Sequence, residues 1–232
     1  MKKIGLIGGI GPESTLDYYR RIIYAARQRS GGLAVPEIII YSADLQEALA
    51  IMESKRPGLL ADWLLIKLDA LHAAGADFAA ITANTAHLVF DEVAKRSPLP
   101  LISIVEATCT AAQQQGLQRI GLLGTRFTMQ ADFFQQPFSR QGMEVVVPLP
   151  EEQDLIHERL FSEIELGIIK DATRDELLAI VQRMVEQERI EALILGCTEL
   201  PLILPDQAHG IPLLNTVAIH VASIVAKAAE GT

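Results

Sequence analysis

The sequence predicts an α/β protein of two pseudo-symmetric domains, each a parallel-rich sheet flanked by helices, with the active site in the cleft between them. Three observations carry this expectation: short, continuously apolar runs ending in Gly or Asn, helix-length segments between them, and a self-similarity that returns half a chain length later. Apolar runs without polar alternation suit strands covered on both faces, as in parallel sheets joined by helical crossovers.

The runs fall at 3–9 (KIGLIGG), 37–41 (EIIIY), 77–84 (DFAAITAN), 100–103 (PLIS), 119–125 (RIGLLGT), 144–147 (EVVV), 192–198 (ALILGCT) and 212–216 (PLLNT). The first leads into GGIGPEST at 8–15, where Pro12 suits the opening turn of a helix. This segment is neither GxGxxG nor a P-loop, and a tight chain reversal explains it as well as an anion site does. Residues 3–9 resemble 119–125, 79–85 resemble 192–198 with Ala83 set against Cys197, and 100–103 resemble 212–215, all in one order. Aromatic pairs follow the first match in each half, Tyr18 with Tyr19 and Phe133 with Phe134. The last helix, about 215–229, is rich in Ala and Val and is expected to dock on the first half. The expected domains are therefore 1–99 plus 211–232, and 100–210.

Half of the 232 residues are hydrophobic and 21% are charged, a balance that supports packed cores rather than disorder. A net charge of −9 leaves no basic stripe for a nucleic-acid backbone and would repel acidic lipids. An anionic substrate must then be held by local N–H groups and hydroxyls. No apolar run is long enough to span a bilayer and the N-terminus has no signal-peptide pattern. Cys109 and Cys197 lack disulfide-framework spacing, so both thiols are expected to be reduced and the protein cytoplasmic.

The strongest chemical feature is GCTE at 196–199, where an apolar strand stops at a glycine and exposes a thiol. If a helix starts there, its N–H groups and dipole lower the pKa of Cys197 and favour a thiolate able to act as a base; the alternative is a buried structural cysteine. The equivalent strand end reads Ala83, Asn84, Thr85, Ala86, His87. Helix starts after Asn84 and Thr85, Thr125 and Thr198 would offer donors to a carboxylate, or serve as ordinary caps.

Taken together, GGxGPEST from residue 8, NTAH at 84–87, LLGT at 122–125, GCTE at 196–199 and PLLxTxxIH at 212–220 resemble the aspartate/glutamate racemases over nearly the whole chain. The resemblance implies an amino-acid racemase, an isomerase that needs no pyridoxal phosphate or other cofactor and no metal. In such enzymes two cysteines flank the substrate α-carbon, one removing the proton and the other returning it to the opposite face. Cys197 matches the second cysteine, whereas the first position holds Ala83. The implied substrate-binding residues are Gly9, Asn84, Thr85, Thr125, Thr198, Glu199 and Met52, the implied ligand is a small amino acid or dicarboxylate, and the implied assembly is a homodimer. His87 and His220 match family positions and are read as supporting residues.

Departures from the pattern bear on specificity: Met52 stands where relatives often carry a polar residue, and Asn215 where they carry Asp. Lys55 and Arg56 could meet a side-chain carboxylate or lie in solvent. Ala83 has three explanations: a natural enzyme with one thiol and another donor, a relative with different chemistry, or a Cys→Ala replacement. Thr82 could stand in as donor, but strand alternation turns it from the face of residue 83. The alternatives to racemisation are a one-thiol decarboxylase or isomerase of a small dicarboxylate, and an inactive carboxylate-binding relative.

Overall fold

The chain forms two units, Met1–Ala107 with Val217–Thr232 and Thr108–Thr216; the computed structural model describes residues 1–54 and 56–230. In the first unit the order is β1 (Ile4–Gly8), α1 (Pro12–Ser30), β2 (Ile38–Ser42), α2 (Leu45–Glu53), α3 (Pro57–Ala73), β3 (Phe78–Ile81), a 3₁₀ turn (Thr85–Val89), α4 (Phe90–Arg96) and β4 (Leu101–Ile102), after which α5 (Ile104–Gln114) leads out. The strands are parallel in the order β2-β1-β3-β4.

Both faces of this sheet are covered, which is why its strands lack polar alternation. Ile4 and Leu6 of β1 join Tyr18 and Ile22 of α1 on one side. Ile7, of opposite parity, joins Leu64, Leu68 and Leu71 of α3 on the other. Helix α1 opens at Pro12, where a missing N–H costs nothing, and closes at Gly31, whose positive φ of 66° lets its N–H reach Arg27 O at 2.9 Å.

The second unit runs β5 (Arg119–Leu123), α6 (Arg126–Gln130), α7 (Gln135–Arg140), β6 (Glu144–Val146), α8 (Pro150–Ser162), a 3₁₀ turn (Ile164–Leu166), α9 (Asp171–Arg183), β7 (Ala192–Leu195), a second 3₁₀ turn (Leu200–Leu202), β8 (Gln207–Ala208) and β9 (Ile211–Asn215). Its order is β6-β5-β7-β9-β8, with the first four strands parallel and β8 antiparallel. Leu193 and Leu195 pack with Ile156 and Leu160 of α8 and Leu177 and Val181 of α9. The two helices are tied by charge-assisted forks, Arg183 to Glu152 at 2.6 Å through both oxygens and Arg159 to Glu176 at 2.8 and 3.2 Å.

The last helix, α10 (Thr216–Ala229), packs Val217, Val221, Ile224 and Val225 against Ile4, Leu6 and Tyr18 of the first unit. Strand β9 ladders with β7 in the second unit, and the first unit resumes at Val217.

Each unit repeats one parallel order, β2-β1-β3-β4 and β6-β5-β7-β9. The ladders also place the internal alignment. Ile4 pairs with Phe78 and Ile120 pairs with Ala192, which shifts the flush match of 79–85 to 192–198 by one residue. Counting on from these pairs, Ala83 and Cys197 occupy the same position beyond equivalent strands.

Candidate active site

The end of β1 is shaped by close backbone approach. Gly9 has φ of +82°, and a Cβ there would lie 2.1 Å from Ala43 O and 2.5 Å from Ala43 N. Only glycine fits both constraints. The Gly9 N–H donates to Thr15 Oγ1 at 2.9 Å and Ser14 Oγ donates to Thr82 O at 3.1 Å. The GGIGPEST segment thus fastens the end of β3.

Beyond β3 the strand parity continues. Ala83 is buried with Ile81 and Leu64, whereas the Thr82 hydroxyl points the other way and donates to Ile7 O at 3.1 Å. The Ala83 carbonyl is held by His87. His87 Nε2 accepts from the Ile104 N–H at 3.3 Å, so its proton sits on Nδ1, which donates to Ala83 O at 2.9 Å. His220 is fixed in the other tautomer: Nδ1 accepts from Tyr18 Oη at 2.8 Å, and Nε2 donates to Ile102 O at 3.0 Å. Burial pushes His87 down to about 4 and His220 to about 3, so both rings are neutral supports at physiological pH. Asn84 is buried and Thr85 half-buried in the first turn after this strand end.

In the second unit Thr125 caps α6, its Oγ1 accepting from the Thr128 N–H at 3.3 Å. A Cβ on Gly124 would sit 3.1 Å from Gly196 O, so this cap lies against the turn after β7. Gly196 is itself confined, its N–H 2.6 Å from Leu123 O and an added Cβ 2.6 Å from Leu122 Cδ1.

Next comes Cys197, buried, with Sγ donating to Glu199 Oε2 at 3.1 Å; Thr198 Oγ1 donates to the same oxygen at 2.7 Å. Glu165, from the 3₁₀ turn after α8, completes the group: one ligand atom from each of Glu165, Cys197 and Glu199 lies within 4.8 Å of the others.

The expected thiolate at a helix start is corrected by this arrangement. Cys197 is followed by a turn and three residues of 3₁₀ helix, because Pro201 has no N–H to donate to the Cys197 carbonyl and Pro205 none to donate to the Pro201 carbonyl. Burial, together with the Glu199 and Glu165 carboxylates, pushes the thiol well above its ordinary value, against the opposing pull of the Glu199 backbone N–H. The resting group is therefore a neutral thiol. Burial, reinforced by Glu199, raises Glu165 to about 7. The sequence reading missed Glu165, which belongs to none of the motifs.

The remaining residues divide between packing and surface. Met52 is half-buried against the apolar cluster of α3, and Arg56 is exposed; Lys55 lies outside the described residues. Cys109 is buried with Sγ 3.6 Å from Pro137 O, and neither cysteine is in a disulfide. Among the described residues, no helix is long and apolar enough to cross a membrane.

A model of the Asp/Glu/Hydantoin racemase family matches residues 7–224. A broad specificity amino-acid racemase from Bacillus subtilis is 24% identical over 229 residues, covering 96% of each chain. Among solved structures, a proposed Asp/Glu racemase from Yersinia pestis is similar with a TM-score of 0.90 and 34% identity, over 98% of this chain and 99% of that one. An aspartate racemase homologue from Pyrococcus horikoshii is similar with a TM-score of 0.85 and 36% identity at the same coverage.

Proposed function

Because the chain belongs to the Asp/Glu/Hydantoin racemase family, we propose that it is a cofactor-independent racemase of aspartate, glutamate or a similar small amino acid, with Cys197 as its proton carrier. The observation that supports this most is the Cys197 thiol 3.1 Å from the Glu199 carboxylate. Glu199 takes the Sγ proton, and the thiolate then removes the α-proton while the electron pair of the broken Cα–H bond spreads into the α-carboxylate. Proton return from sulfur restores the starting isomer, and protonation from the opposite face inverts it.

Two features shape this chemistry. An α-ammonium group brought beside Glu165 and Glu199 offsets their charge, which lowers the thiol pKa only when substrate is present. The position that carries the second thiol in related enzymes holds Ala83, whose methyl group has no proton to give. Inversion must then draw on water, and exchange by Cys197 should outrun it. Hydroxyls and N–H groups at Asn84, Thr85, Thr125 and Thr198 are our choice for the substrate carboxylates, and Gly9 keeps the β1 turn close. We also place the enzyme in the cytoplasm, where both thiols stay reduced, as a homodimer.

Ala83 favours one further reading, a one-thiol decarboxylase or isomerase of a small dicarboxylate, which needs a proton carrier on one face only. Incubation in D₂O with L- and D-aspartate and glutamate separates the two. Deuterium entering the α-position, faster than slow inversion, is the expected result. Loss of CO₂ identifies a decarboxylase, and binding with neither exchange nor CO₂ release rules out both.

A further inference from the structure

Among the described residues one lysine or arginine is buried, Lys67 of α3, at 6% exposure. Trp63 precedes it by one helical turn, is 5% exposed, and sets its ring under the ammonium: Nζ stands 3.9 Å from the Trp63 ring centroid and 5.8 Å from that of Tyr41 on β2. The ring faces attract the charge, but an ammonium also carries three N–H donors that call for oxygen. Lys2, Lys3, Lys170 and Lys227 each meet a carboxylate at 2.6–3.4 Å. Lys67 makes no ion pair or hydrogen bond with a described residue; burial pulls its pKa down and Glu47 on α2 pushes it back only through space. A second donor at the same place is equally unanswered, since Trp63 Nε1 is buried with no acceptor among the described residues. Natural interiors rarely leave such a group unpaired, and here two of them are neighbours.

We propose that Lys67 and Trp63 form a binding site for a small carboxylate monoanion, which accepts from Lys67 Nζ through one oxygen and from the Trp63 Nε1–H through the other. The chemistry of the donors selects this ligand. One ammonium balances one negative charge, and the Glu47 carboxylate acting on the same ammonium penalises a second, which sets aside phosphate and sulfate. A carboxylate brings two acceptor oxygens to two donors, a match that a single-centred halide lacks, and its bond to the ammonium is charge-assisted. The faces of Trp63 and Tyr41 suit the short apolar body of such an acid. The site lies within the first unit, shares no residue with the Cys197 group, and does not rest on the racemase reading.

Trp63 is the sole tryptophan of the chain, so its signals report on this site alone. The test titrates the full-length protein with sodium acetate, and separately with sodium chloride at matched ionic strength, following Trp63 emission and the single indole N–H resonance in a ¹H–¹⁵N spectrum. Acetate should give a saturable change in both, with the indole proton moving downfield as it gains an acceptor, and chloride should act far more weakly. Lys67→Met, checked for folding by circular dichroism, should weaken acetate binding by about 10–100-fold, the loss of one hydrogen bond to a charged group. An indole resonance that acetate leaves in place, an equal response to chloride, or undiminished acetate binding in Lys67→Met would overturn the site. The indole shift in the parent protein decides should Lys67→Met misfold. Neither readout depends on turnover, so a protein that binds acetate here yet exchanges no α-proton would keep the site and refute the racemase.

Discussion

A thiol becomes a base only when another group accepts its proton, and Cys197 has that acceptor 3.1 Å away in Glu199. Replacing Cys197 with Ser should abolish α-proton exchange, because a hydroxyl beside two carboxylates does not ionise near neutral pH. Glu199→Gln should lower kcat by about 10²–10⁴-fold with a smaller effect on KM, the range for losing a positioned acid or base. Deuterium incorporation into substrate measures both; exchange at the parent's rate in Cys197→Ser would remove the residue from the reaction. At this scale the GCTE motif made the thiol legible, but not its ionisation, which burial and the Glu199 and Glu165 carboxylates set in the absence of an α-helix start. Glu165 was invisible for a different reason. It sits between Ile164 and Leu166 in an unremarkable apolar stretch, and only the packing of α8 and its following turn brings it to sulfur.

The elements that carry these residues are built from strained turns and buried supports, and each makes its own prediction. Gly9→Ala places a Cβ into the Ala43 backbone at positive φ, which neighbouring side chains cannot relieve. Destabilisation on the order of 2 kcal/mol or more is expected by chemical denaturation; a midpoint equal to the parent's would show that the β1 turn relaxes freely. His87 and His220 give a pH dependence. Their folded values, about 4 and about 3, lie below the ordinary 6.5, so the unfolded chain binds protons more readily. Their contribution to stability is complete above about 6.5 and is lost as pH falls through the folded values, with a slope of on the order of 1 kcal/mol per pH unit for each ring. Urea midpoints should fall between pH 7 and pH 4; a flat profile would contradict the tautomers assigned here. Apolar runs revealed the eight parallel strands because burial between helices writes itself into composition, while β8, two residues paired antiparallel at an edge, leaves no such trace.

At the scale of the whole molecule the informative feature is repetition. Self-similarity in the sequence indicated two related halves, and the shared strand order with its ladder registers bears that out at the level of topology. What sequence comparison could not fix was the one-residue offset between 79–85 and 192–198, since Ala-rich and Leu-rich strands align almost equally well in neighbouring registers; hydrogen-bonded ladders remove that freedom. The ladders keep Ala83 as the counterpart of Cys197, the pairing already read from the sequence, and the claim that one proton carrier is missing can be tested by supplying it. The measurement is the rate of aspartate and glutamate inversion by Ala83→Cys against the parent, with folding and substrate binding verified for both. A gain of about 10²–10⁴-fold is predicted, the contribution of one added acid or base, and it should disappear again in the Ala83→Cys, Cys197→Ser double variant. Inversion that stays at the parent's rate in a folded, substrate-binding Ala83→Cys protein would contradict the account.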